Sequence, residues 1–323
     1  MEMDAMLEAG IGLLILQSVM TLVNGDNENL GQDHRNYPIT AVHSLYPTQL
    51  PELAPYYHVS PDTLRHCLEA AQERGIKIMI GLIADNVWWK YGWALPTPVR
   101  EFGDDPALDS YWGRWVIDNA ELSNKVAGEI WDIYGEEFAD VIYGWYYYNE
   151  FWNFSPFDEN VAKILAHSFN TALDFYSEIT PGLPMAFSPF HNFNLIGAVQ
   201  TGQNYRDIFA LTRFREYDIF VPQDSVGGFP DRIPYLEPWM RAYRGAAHEA
   251  GIRFWVNNEC FVALPGYRFS GAEIERLVTQ LEITAPWAEK NITFSWNHYY
   301  SPIANDTRFH EDWIKYIRDG DND

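Results

Sequence analysis

Cysteine is almost missing from this chain: 323 residues contain two, Cys67 and Cys260. Two are too few for a disulfide framework. Cys67 falls in a helical pattern and Cys260 at a strand end, so free, buried thiols are expected. Basic residues are scarce as well, with 22 Lys and Arg against 45 Asp and Glu, a net charge of −23. Nucleic acid requires a basic footprint and anionic membranes attract polybasic segments, so neither is an expected partner. No apolar run approaches the length of a transmembrane helix, and Met1 is not followed by a basic stretch and an apolar one. A soluble chain is expected. Metal and phosphate signatures are lacking too: there is no His-Glu-x-x-His, no Cys cluster and no Gly-x-x-x-x-Gly-Lys-[Ser/Thr]. No Gly-x-Ser-x-Gly elbow offers a serine nucleophile. Neither metal nor cofactor is expected. Three Asn-x-Ser/Thr triplets, at Asn153, Asn291 and Asn305, are common by chance and carry no weight.

Aromatic residues, by contrast, are abundant: 13 Trp, 20 Tyr and 19 Phe make up 16% of the chain. Many are expected in the core. Others fall where loops are expected, in Trp88-Trp89-Lys90-Tyr91-Gly92-Trp93 and in Asn149-Glu150-Phe151-Trp152-Asn153. Exposed rings there would offer flat platforms to sugar faces or to partner proteins, whereas buried ones would only pack the rim.

Three segments share one grammar: a helical run, a stopping Gly, one Ile, then an apolar strand. They begin at Asp4, Leu64 and Tyr243, and Gly10, Gly75 and Gly251 fit the left-handed position after a helix. Ser60 and Pro61 suit the N-cap and first turn of the second helix. Helix-then-strand repetition with nearly continuous apolar strands implies parallel strands covered by helices. Strands are expected over 11–19, 76–84, 141–148, 184–188, 218–222, 252–257 and 292–296. Helices are expected around 111–134, 159–178, 205–215, 235–250 and 271–289, with one more closing the chain. Seven strands are one short of a TIM barrel, so a single α/β domain over 1–323 is expected, a (β/α)8 barrel whose first strand is absent or atypical. An open doubly wound sheet fits less well without a Gly-rich phosphate loop.

The C-terminal rim of such a barrel carries its active site. Here that rim reads Asp85 and Asn86; Asn149 and Glu150; His191 and Asn192; Gln223 and Asp224; Asn257, Asn258 and Glu259; Asn297, His298 and Tyr299. Glu150 and Glu259 each follow asparagine at a strand end, the fourth and seventh strands if the first is missing. Two carboxyl groups flanking a glycosidic bond suffice for its hydrolysis, one protonated and one ionised. A separation of about 5–5.5 Å implies retention and about 6.5–9.5 Å implies inversion.

Asn149-Glu150, Glu259 and Trp296 together resemble the large clan of retaining glycoside hydrolases built on TIM barrels. More closely, the ordered set I-M-I-G-L, Y-G-W-Y-Y-Y-N-E, F-S-P-F, V-P-Q-D-S-V-G-G, F-W-V-N-N-E-C-F and F-S-W-N-H-Y-Y-S-P is similar to a domain-of-unknown-function family of glycosidase-like barrels. The resemblance implies Glu150 as acid/base, Glu259 as nucleophile, Asn149 at the sugar 2-hydroxyl and Trp296 beneath the reacting sugar. The expected function is hydrolysis of β-linked carbohydrate by retention, with an oligosaccharide or polysaccharide as partner.

Each residue also has a plainer reading. One rim Glu is commonly a solvated or ion-paired group, and Asp224 could cap or turn the chain as easily as touch substrate or serve an inverting enzyme. His191 and His298 could contact hydroxyls or be satisfied histidines. Trp88 and Trp89 could stack on sugar or pack the rim, and Tyr299 is a further candidate contact. A carbohydrate-binding barrel without turnover and an interaction scaffold are the rival readings.

Overall fold

The computed structural model describes residues 1–25, 38–57, 61–85, 87–88, 105, 107–153, 157–266, 268–304 and 306–320. Seven parallel strands form the central sheet in the order β1 (Leu13–Leu16), β4 (Lys77–Gly81), β6 (Ile142–Tyr147), β7 (Met185–Phe187), β8 (Ile219–Phe220), β9 (Arg253–Glu259) and β12 (Lys290–Phe294). Helix α1 (Glu2–Glu8) precedes β1, and the connections between the strands run through helices: α2 (Thr63–Arg74), α3 (Tyr111–Phe138), α4 (Glu159–Ile179), α5 (Ala198–Ala210), α6 (Leu236–Glu249) and α7 (Ile274–Thr284). The sheet is curled, for β1 and β12 do not pair and yet line one cavity of about 870 Å³ between them. The expected shortage of one strand is therefore a gap in the barrel wall.

Burial follows from that curl. The inner strands β4, β6 and β9 are buried along nearly their whole length, covered by helices outside and by one another inside. The edge strands β1 and β12 are half-exposed. Side chains alternate between two cores. Met79, Tyr146, Ala186, Ile219, Val221 and Trp255 fill the barrel interior, while Trp145, Tyr147 and Val256 join the larger core under the helices. Trp145 stacks on Tyr176 of α4 at 5.7 Å, so the helix-facing pair of the aromatic strand is Trp145 and Tyr147.

Gly10, Gly75 and Gly251 all adopt positive φ just past helix ends, as the shared grammar requires. Other expectations need correction. The N-cap of α2 is Asp62, which accepts from Arg65 N; Ser60 lies outside the described residues. The run 76–84 breaks in two, and its second half, β5 (Ile83–Asp85), leaves the barrel; the run 11–19 yields only β1, and a separate strand, β2 (Met20–Asn24), follows it. With β3 (Ile39–Ser44), which the sequence did not announce, β2 and β5 form a three-stranded sheet. A hairpin of β10 (Phe261–Leu264) and β11 (Arg268–Gly271) follows β9. The helix expected at 205–215 starts earlier, at Ala198. Trp296–Tyr299 forms a short helix, α8, rather than the end of a strand, and α9 (Thr307–Gly320) closes the described chain. Among the described residues no helix is long and apolar enough to cross a membrane.

Candidate active site

The rim glutamates lie three strands apart, Glu150 just beyond β6 and Glu259 as the last residue of β9. What joins them is the segment just after β8. Gln223 Nε2 donates to Glu150 Oε1 at 3.0 Å, and the next residue, Asp224, accepts the Glu259 backbone N–H at Oδ1 (3.2 Å). Gln223 is itself anchored, its Nε2 also reaching the Ser188 carbonyl at 3.1 Å.

Glu150 is half-buried, with its carboxyl group among protein atoms; burial pushes it up to about 7 against the opposing donation from Gln223. Glu259 is buried and accepts from Gly227 N at 2.6 Å. Burial first, then the charge of Asp224, push its carboxyl up to about 8, and the charge of Glu150 adds to the effect. Glu259 therefore lies within electrostatic reach of Glu150. Gly227 must be glycine for this approach, because a Cβ there would stand 2.6 Å from Glu259 Oε2 and from the Phe261 ring.

The asparagines divide by strand alternation. Asn257 faces the interior, with Nδ2 on Ser188 Oγ (3.1 Å) and Oδ1 without a partner among the described residues. Asn258 faces the helices and donates to Asp224 Oδ2 (2.9 Å). Asn149 is buried, its Nδ2 at 3.4 Å from Asn119 Oδ1, and its own Oδ1 is again unpartnered. Buried acceptors without donors are uncommon, and these two belong to residues one and two positions before the glutamates in the chain.

Several sequence candidates sit elsewhere. Asp224 is fully buried behind Glu259 and takes four donors, from Asn258, Gln280, Glu259 N and Val226 N, so its carboxylate is spent within the protein. His191 is also fully buried, stacked on Trp239 at 3.9 Å and held against Ser225; burial pushes it down to about 3, so it is a neutral anchor. Trp88 is packed among Trp115, Phe151 and Trp152 and offers no open face. Trp89, Trp93 and Asn86 lie outside the described residues. Trp296 is 7% exposed, lies edge-on to His310 and lines the cavity at the barrel gap. His298 is exposed, with Nδ1 at 2.5 Å from Ser295 Oγ, and Tyr299 packs on Phe261. That cavity reaches Tyr146 and Asn257 but neither glutamate; it lies between the edge strands, and the hydrogen bonds, not this space, locate the carboxyl pair.

Sequence reasoning missed the supports that come from α7. Arg276, Gln280 and Thr284 recur every fourth residue on a face whose neighbours Leu277 and Leu281 are apolar. A polar stripe on the buried face of a helix was the available signal. Among the described residues no group of His, Cys, Asp and Glu could hold a metal ion.

A sequence profile for DUF4434, a domain of unknown function, matches residues 1–306. The chain belongs to the DUF4434 family. No curated protein matches this DUF4434 chain. The crystal structure of a candidate α-L-fucosidase from Bacteroides thetaiotaomicron is similar over 98% of this chain and 87% of that one, with a TM-score of 0.71 and 17% identity. That likeness shows a shared fold. A family 1 β-glucosidase from Thermotoga maritima superposes less closely, with a TM-score of 0.47 and 10% identity over 91% of this chain and 76% of that one.

Proposed function

We propose that the protein is a glycoside hydrolase that cleaves β-linked carbohydrate with retention, with Glu150 as acid/base and Glu259 as nucleophile. One observation carries this reading: the dipeptide Gln223-Asp224 grips both glutamates, one by a side chain and the other by its backbone. In the first step the Glu259 carboxylate attacks the anomeric carbon while Glu150 protonates the departing glycosidic oxygen, leaving a glycosyl ester on Glu259. In the second, Glu150 takes a proton from water, the resulting hydroxide attacks the same carbon, and Glu259 leaves as carboxylate. A carboxyl near 7 suits a group that gives and takes one proton at neutral pH. Asn149 and Trp296 keep the roles that the family resemblance implies, at the sugar 2-hydroxyl and beneath the ring. Asp224, with every oxygen engaged, is a poor base for the inverting alternative.

The experiment is a panel of aryl β-glycosides and an aryl α-L-fucoside, the latter prompted by the name of the structural neighbour. Hydrolysis by wild type, with loss of at least ~100-fold in both Glu150→Gln and Glu259→Gln, is expected. NMR of the first-formed anomer distinguishes retention from inversion. Full activity in either variant refutes the proposal, and saccharide binding without turnover would make this a carbohydrate-binding barrel.

A further inference from the structure

Glu259 is held from behind by groups that do not share its cleft. Its N–H donates to Asp224, and its C=O accepts from Gln280 Nε2 (3.1 Å) and Arg276 Nη2 (2.6 Å). The same Arg276 nitrogen reaches the Phe261 carbonyl at 2.6 Å, so one guanidinium ties the chain on both sides of Cys260. Gln280 Nε2 also donates to Asp224 Oδ2 at 2.6 Å. The loop after β8 completes the enclosure, with Gly227 N on Glu259 Oε2 and Val226 N on Asp224 Oδ1. Within it Ser225 adopts φ +59°, a left-handed conformation uncommon for a residue with a side chain, and the N–H of buried His191 donates to its Oγ at 2.9 Å.

We infer that Asp224, Gln280 and Arg276 form one positioning unit that seats Glu259 and fixes the charge behind it. The ionisable groups facing Glu259 are Asp224 from the loop after β8, Glu150 from just beyond β6, Arg276 from α7, Tyr299 from α8 and its neighbour Cys260. Asp224 receives four donors and Glu259 side-chain oxygen receives one, so the negative charge belongs on Asp224 and the proton on Glu259. The Asn258 amide cannot reverse this cheaply, because its Oδ1 already accepts from Asn291 Nδ2 at 2.7 Å. The consequence for turnover rests on the two-glutamate reading: Glu259 must shed its proton before it attacks, and Asp224 sets the pH at which it does.

Carboxyl 13C NMR tests this without substrate. The Glu259 resonance, assigned by its loss in Glu259→Gln, is titrated in wild type, Asp224→Asn and Gln280→Leu. Asp224→Asn removes the opposing charge and is expected to lower the Glu259 midpoint at least ~10-fold in proton affinity, about one pH unit. Gln280→Leu removes a donor from Asp224, moves the shared proton towards it, and lowers the Glu259 midpoint in the same direction. A purely structural unit would lose melting temperature and leave the midpoint in place. An unchanged midpoint in folded Asp224→Asn overturns the inference, and if that variant does not fold, an unchanged midpoint in Gln280→Leu does so. The titration reads whether or not any glycoside is hydrolysed. Where hydrolysis is found, the pH optimum of kcat/KM moves down with the midpoint while KM holds.

Discussion

Replacing Glu259 with glutamine removes a titratable group and almost no volume, so its effect on stability isolates the cost of an ionised carboxyl at this position. Glu259 is held from an ordinary value of 4.5 up to about 8, mainly by burial and then by Asp224. A carboxyl raised on folding contributes stability that is complete below its unfolded value. That contribution is lost as pH climbs towards the folded value, because the unfolded chain ionises first. The full span is worth at most ~5 kcal/mol at 1.36 kcal/mol for each tenfold change in proton affinity. Sharing the charge with Asp224 lowers what Glu259 alone can contribute, and about 2–3 kcal/mol is the working expectation. For a chain of this size that corresponds to a Tm difference on the order of 5 °C. Differential scanning calorimetry of wild type and Glu259→Gln between pH 5 and 9 is the assay. The variant should match wild type near pH 5 and exceed it by about 5 °C near pH 9. A Tm difference that does not depend on pH, or a variant less stable at pH 9, would refute the reasoning that this carboxyl is buried at the expense of the fold. The gain would also be the expected sign for a side chain kept for chemistry, since stability is commonly lost at working sites.

Gln223→Leu deletes the donor at 3.0 Å from Glu150 and leaves burial unopposed, so Glu150 should hold its proton more tightly, by about 1.5–3 kcal/mol for a bond to a charged group. The pH optimum of kcat/KM should then move up by about half to one pH unit, and an unmoved optimum would mean that Gln223 does not govern the acid. Trp88→Ala should cost about 3–5 kcal/mol in urea unfolding, because the ring is buried in an aromatic cluster. KM for any glycoside should stay as it is; a large rise in KM at unchanged stability would return Trp88 to the substrate.

The alternation of helix and strand, the glycines that end three helices and the two asparagine-preceded glutamates at strand ends were all legible in the chain. Each is a local pattern: a period of about 3.6 or 2, or a left-handed residue at a helix end, is dictated by neighbours a few residues away. The break of the 76–84 run into a barrel half and a side-sheet half was not legible, because an apolar run reads the same whether its partners lie in one sheet or two. Nor was β3, whose pairing with β2 is set by contact across the chain rather than by a pattern of its own.

The candidate site divides along the same line. That polar residues gather at strand ends is a statement about sequence. Which of three carboxylates faces inward is a statement about partners far along the chain. Asp224 looks as available as Glu150 when read in order, yet Gln280, 56 residues later, and Asn258, 34 residues later, consume its oxygens. His191 likewise reads as a rim ligand until Trp239 covers it. Desolvation and hydrogen-bond donors decide what a charged side chain can do, and both are supplied by segments that only folding brings near. The sequence by itself determined where ionisable groups would cluster; the tertiary structure decided which of them kept its proton, which kept its charge and which became packing.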